Sequence, residues 1–156
     1  MMRNRTSTWF ETKVRYEKMQ EDGMQKQVTE LYVVDALSFT EAESSIIENM
    51  KPYISGDMTV QTIARASYGE IFFSDKETDD KWYKVKLQFT TLDDKTEKEK
   101  HSYIYHLVQA HDIELARKYI DDVMRDSMID YEIKTITETA AMDVFEHNDK
   151  SHKHDS

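Results

Sequence analysis

Two short stretches of the chain pair an indole with cations at strand spacing. Trp9, Lys13 and Arg15 occupy alternate positions of Trp9–Lys18, and Trp82, Lys84 and Lys86 do the same in a later stretch. Side chains two apart share one face of a strand, so each set forms an aromatic beside two cations. That composition suits single-stranded nucleic acid or a nucleotide, with bases stacked on the indole and phosphates met by the cations. The plainer alternative is an open sheet face solvated by Lys and Arg, with each Trp packed at a strand end or a subunit contact. Tyr68, beside Gly69 and shortly after Arg65, sits at an expected strand bend, which adds Arg65 and Tyr68 to the ligand-binding candidates. Tyr32, Tyr103 and Tyr105 are open to recognition too, although cross-strand packing is the expected role of Tyr103 and Tyr105.

Other chemistries find less support. His101, His106 and His111 recur every five residues. Positions five apart on a strand point to opposite faces, so His101 and His106 do not chelate together. His152 and His154 offer only adventitious metal binding. The acid pairs Asp121–Asp122 and Glu41–Glu43 diverge on a helix or serve as a cap. Gly 3 cannot supply a phosphate loop in a useful context, and no Ser stands in a nucleophile elbow. Cys 0 excludes disulfides, thiol catalysis and cysteine-ligated zinc. The expectation is a non-enzyme with no cofactor and no metal.

The formal net charge of −10 argues against a uniformly basic nucleic-acid binder, but it leaves room for a local basic stripe. Arg3, Arg5, Lys13, Arg15 and Lys18 crowd the first strand region, whereas Asp75, Glu77, Asp79 and Asp80 gather in a linker. The competing expectation is an acidic protein–protein module that engages a basic host protein, as an inhibitor imitating nucleic-acid charge. A third is a homo-oligomer formed through open sheet edges. No apolar run approaches the roughly 18 residues of a membrane span, and Met1–Thr6 has no hydrophobic region of a leader. A cytoplasmic protein with no membrane partner is expected.

These residues need elements to hold them. Trp9–Lys18 alternates, with Phe10, Thr12, Val14 and Tyr16 on the face expected to be buried. Asp22-Gly23 predicts a tight hairpin turn into a second strand from about Gln27 to Ala36. Ser38-Phe39-Thr40-Glu41 reads as a capping box that opens a helix with Phe39, Ala42, Ile46 and Met50 on one stripe. Pro52 and Gly56 bracket its end. A third strand follows over Met58–Ala66, continuing, bent, to Phe73. The three-residue step from Val60 to Ile63 predicts a bulge.

The same programme then recurs. Trp82-Tyr83 stands 73 positions after Trp9-Phe10, and Tyr83, Val85, Leu87 and Phe89 repeat the buried face. Ile113, Ala116, Ile120 and Met124 repeat the helix stripe at an offset of 74, and Ile133 and Ile136 repeat the three-residue step at 73. The expectation is α+β: an internally duplicated strand–strand–helix–strand unit, mostly antiparallel sheet with two helices. The first repeat spans 1–74 and the second 81–147, in one compact body, with residues 148–156 as a disordered tail.

The strings Trp9-Phe10-Glu11-Thr12-Lys13-Val14-Arg15-Tyr16 and Val34-Asp35-Ala36-Leu37-Ser38-Phe39-Thr40-Glu41-Ala42-Glu43 carry a resemblance. Pro52-Tyr53-Ile54-Ser55-Gly56, Glu70-Ile71-Phe72-Phe73 and Met142-Asp143-Val144-Phe145 extend it over nearly the whole chain. The chain resembles a family of short acidic proteins, classed as a domain of unknown function, from gut commensal bacteria and their phages and mobile elements. The resemblance implies a cytoplasmic, phage- or mobile-element-associated protein. It implies no activity and no site residues.

Overall fold

The computed structural model describes residues 2–147, so the expected tail lies outside the described residues. The strands are β1 (Arg3–Arg5), β2 (Trp9–Met19), β3 (Gln25–Asp35), β4 (Met58–Ala66), β5 (Tyr68–Phe73), β6 (Lys81–Leu92), β7 (Glu99–Ala110), β8 (Asp130–Glu138) and β9 (Ala141–Phe145). The helices are α1 (Phe39–Met50) and α2 (Ile113–Arg125), with a 3-10 turn at Lys51–Tyr53. The class is α+β, mostly antiparallel, as the residue patterns require. The described chain divides into two compact units, residues 7–66 with 140–147 and residues 2–6 with 67–139.

The first unit is a four-stranded sheet of order β4-β2-β3-β9. Its hairpin closes over five residues, wider than the tight turn expected. Gly23 alone takes positive φ there, at 82°, and the Asp22 side chain accepts from the Met24 amide. Alternation puts Phe10, Val14 and Tyr16 on the face that receives Ala42, Ile46 and Met50 of α1. Thr12 shares that buried face because its hydroxyl donates to the Tyr32 carbonyl, which removes the cost of an unpaired buried hydroxyl. Burying a side chain such as Ile46 stabilises the unit by about 1.5–3 kcal/mol.

Only half of the capping box forms. Ser38 Oγ accepts the Glu41 amide at 3.1 Å, but the Glu41 carboxylate stands 3.4 Å from His147 Nδ1 instead of turning back. Phe39 opens the stripe yet stays 49% exposed, because the first helical turn reaches past the core and only the ring edge meets Phe10.

The second unit is a five-stranded sheet of order β1-β5-β7-β6-β8. Phe72, Tyr83, Val85, Leu87, Val108 and Ala110 pack under Ala116, Ile120 and Met124 of α2. Asp112 caps that helix by accepting the Leu115 amide at 2.8 Å. The strand orders β4-β2-β3-β9 and β8-β6-β7-β5 correspond, and in each the last strand runs parallel to its neighbour.

Two features depart from the sequence reading. Met58–Phe73 is not one bent strand: it breaks at Ser67, and β5 lies beside β7 in the five-stranded sheet. In the same way β9 lies beside β3. Periodicity shows which face is buried but not which strand is the neighbour, so this placement left no mark in the residue pattern. The three-residue strand β1, paired with β5, was too short to register as a period.

The anticipated irregularities are present. Pairing slips between Lys13 and Val14, which leaves Gln61 unmatched in β4, and between Lys86 and Leu87, which leaves Lys134 unmatched in β8. No helix among the described residues is long and apolar enough to cross a membrane.

Candidate ligand-binding face

β6 and β7 pair along their whole length, with Lys86 opposite Tyr105 and Gln88 opposite Tyr103. Val85 and Leu87 point into the core under α2, so Trp82, Lys84, Lys86, Gln88 and Thr90 share the face turned away from that helix. This face changes character along its length. Trp82 is 2% exposed and meets the Phe73 ring edge-on at 5.5 Å, whereas Lys84 is exposed and Tyr103 is 55% exposed.

The indoles are therefore not the stacking surface. Trp9 is 1% exposed as well, on a face shared with Val33 and Val144, which are also buried. Strand parity fixes the side on which a residue lies, not how deep that part of the side is. Both Trp side chains fall at the deep end and the cations at the shallow end.

The Lys ammonium groups have found other aromatic partners. Lys84 Nζ sits 4.6 Å from the Tyr105 ring centroid, and Lys86 Nζ sits 4.7 Å from Tyr103 and 5.9 Å from Tyr105. Each Lys leans one pairing step along the hairpin, so cations and rings alternate in a ladder. Cation–π contacts at exposed sites contribute about 0.5–1 kcal/mol each. Among the described residues no carboxylate pairs with Lys84 or Lys86. At the ladder's end His101 Nδ1 lies 3.1 Å from Gln88 Nε2 and 3.2 Å from Thr90 Oγ1. Thr135 and Thr137 of β8 flank Lys86 and Lys84 on the other side.

The remaining candidates lie elsewhere. Lys13 and Arg15 are exposed on β2, opposite Leu31 and Thr29, and Arg15 donates to Gln27 Oε1 at 2.9 Å. Arg65 lies on the α1 side of its sheet, with its guanidinium 5.5 Å from Phe10 and 5.8 Å from Phe39. Tyr68, opposite Tyr105 in β5, is buried and so offers little surface for contact. Lys84 and Lys86 are thus the candidates that share one aromatic face. Tyr103, Tyr105, Gln88, Thr90 and His101 were missed as its members, although the turn region Asp93–Lys98 sets the register that brings 86 to 105.

Two other polar centres are built into the units. In the four-stranded unit, Tyr16 and Tyr32 both donate to Glu30 Oε1, at 2.6 and 2.9 Å, and Lys18 Nζ meets Oε2 at 3.1 Å. Burial pushes the Tyr16 hydroxyl up to about 12, reinforced by its bond to Glu30. Burial alone would raise the Glu30 carboxyl, but the bonds from Tyr16, Lys18 and Tyr32 together hold it below its ordinary 4.5. In the five-stranded unit, buried His106 accepts the Glu70 amide on Nδ1 at 3.1 Å, and desolvation lowers its pKa below 6.5.

Together the fold and this face define a class: an α+β protein whose paired hairpins each carry a helix on one side and a polar, cation-bearing stretch on the other. The chain belongs to the family described as Domain of unknown function (DUF4494), which it matches over residues 8–147. No curated protein and no solved structure matches it.

Proposed function

We propose that this is a non-catalytic binding protein that takes single-stranded nucleic acid, or another phosphate-bearing ligand, on the Lys84–Lys86–Tyr103–Tyr105 face. One observation carries the reading: two ammonium groups are held over tyrosine rings with no ion pair to a carboxylate among the described residues, Glu132 on the same face meeting Lys134 at 3.5 Å instead. Such cations are pre-positioned and un-neutralised, so a phosphate gains attraction without breaking an ion pair. Two residues along a strand span about 6.6 Å, which lets Lys84 and Lys86 meet separate anionic groups. The exposed Tyr103 ring offers stacking area that tolerates any base.

Salt-titrated fluorescence anisotropy with a labelled single-stranded oligonucleotide tests this. We expect saturable binding at low salt that weakens as salt rises, with a log–log slope of about −0.7 per phosphate met. Lys84→Glu with Lys86→Glu should abolish it, and Tyr103→Ala should weaken it about 5- to 150-fold, the equivalent of about 1–3 kcal/mol per stacked base. Lys13→Glu with Arg15→Glu, in the other unit, should leave the binding in place. No saturable signal at low ionic strength, or binding indifferent to reversal of Lys84 and Lys86, would overturn the proposal. The first of these results would favour the acidic protein–protein reading instead.

We take the two halves as copies of one ancestral unit. The matching strand orders, the caps Ser38 and Asp112, and the unmatched residues Gln61 and Lys134 support that reading. A cytoplasmic, phage- or mobile-element-encoded setting is what we infer from the family resemblance.

A further inference from the structure

The outward face of β6 carries two cations and then changes sign. Toward the start of the strand, Trp82 is buried, and so is Leu107, which stands opposite Lys84. Toward the hairpin turn the neighbours across β8 become acidic. Thr137 and Thr135 flank Lys84 and Lys86, but Glu132 and Asp130 flank Gln88 and Thr90, and both carboxylates are exposed. Directly paired residues share a face, so these acids stand on the same side as the Lys–Tyr ladder. Glu99, two residues before His101 on β7, is exposed there too. Lys134, the unmatched residue of β8, is tied to Glu132 at 3.5 Å. Exposed Tyr103 marks the boundary, opposite uncharged Gln88 and 4.7 Å from the Lys86 ammonium.

We propose that this face takes only a short stretch of single strand, with two successive phosphates on Lys84 and Lys86 and one base on Tyr103; this rests on the nucleic-acid reading of the face. The order of charges along the strand sets the length. A third phosphate toward the turn would lie at the Gln88–Thr90 step, beside Glu132 and Asp130, where like charges repel. At the other end the face is buried, so the remainder of a longer strand leaves the sheet and runs in solvent. The formal net charge of −10 acts in the same sense, because it repels any length of polyanion that is not held by a cation.

Competition anisotropy on the whole chain tests this, with unlabelled oligothymidylates of about six to about 24 nucleotides displacing a labelled strand at several salt concentrations. Affinity divided by the number of registers each strand offers should stay within about threefold across the series. The log–log salt slope should hold near about −1.4, two phosphates at about −0.7 each. Asp130→Asn with Glu132→Gln removes the flanking carboxylates and releases Lys134. In that variant the slope should steepen toward about −2.1, one phosphate more. An affinity per register or a slope that keeps growing with strand length, while binding still needs Lys84 and Lys86, would overturn the short site and leave the binding face standing. An unchanged slope in the double variant would overturn it as well. No saturable binding of any strand would remove the face itself, and the length limit with it.

Discussion

At the residue scale, side chains two positions apart on one strand do opposite work. Trp82 is packed into the deep end of its face, so Trp82→Ala should cost about 3–5 kcal/mol through lost transfer energy and the cavity left behind. Lys84→Ala, on the exposed end, removes one cation–π contact and should cost no more than about 1 kcal/mol. Urea denaturation of both variants checks the contrast. Equal losses would mean that the face is not graded as described.

His106 sets an acid limit. Its folded pKa lies below the ordinary 6.5, and protonating Nδ1 breaks its bond to the Glu70 amide. Its contribution is therefore complete above pH 6.5 and is lost as pH falls through the folded value. His106→Gln should remove that part of the pH dependence of the denaturation midpoint. Tyr16 sets an alkaline limit of the opposite sense. With a folded pKa near 12 against an ordinary 10.0, its contribution holds below pH 10 and disappears as pH climbs toward 12. Tyr16→Phe should flatten that limb in the same measurement.

At the element scale, the unmatched Gln61 and Lys134 let Met58, Val60, Ile133 and Ile136 keep their faces despite the three-residue steps. Deleting Gln61 removes the extra residue and leaves Met58, Val60 and Ile63 in unbroken alternation on the α1 side, still opposite Tyr16, Val14 and Thr12. The variant should keep cooperative thermal unfolding and melt within about 10 °C of the parent, since no apolar residue changes face; loss of cooperative unfolding would show that Gln61 is not the extra residue. An exposed substitution such as Gln61→Ser should melt near the parent temperature.

Much at this scale was legible in the residues. The alternation of Phe10 to Tyr16, the cap at Ser38 and the broken periods of β4 and β8 are local signals, and local signals specify local structure. Burial of Trp9 and Trp82 was not legible, because it depends on which neighbours share the face and how deep that end lies. The Lys–Tyr ladder lies between these cases. Its Lys residues were visible as a stripe, but their tyrosines sit on the next strand and come into view only once the hairpin register is counted across.

At the scale of the whole molecule, each sheet borrows its end strand from the other half of the sequence. β5 follows β4 in the chain but completes the sheet of β6–β8, and β9 follows β8 but completes that of β2–β4. A protease site placed in the exposed Lys76-Glu77 stretch should therefore cut the backbone without separating the fragments. The nicked protein should elute as one species at native pH and dissociate only in denaturant. Fragments that part on cutting would show that β5 and β9 do not hold as described.

That borrowing orders events during synthesis. Leu31 pairs with Ala141, and the His147 amide bonds to Asp35, so the sheet begun by the earliest strands is closed by almost the last described residues. While the ribosome is still translating, β3 must wait with one edge open, at risk of capture by a neighbouring nascent chain. The time taken to translate from β3 to β9 is then the interval over which that edge stands open.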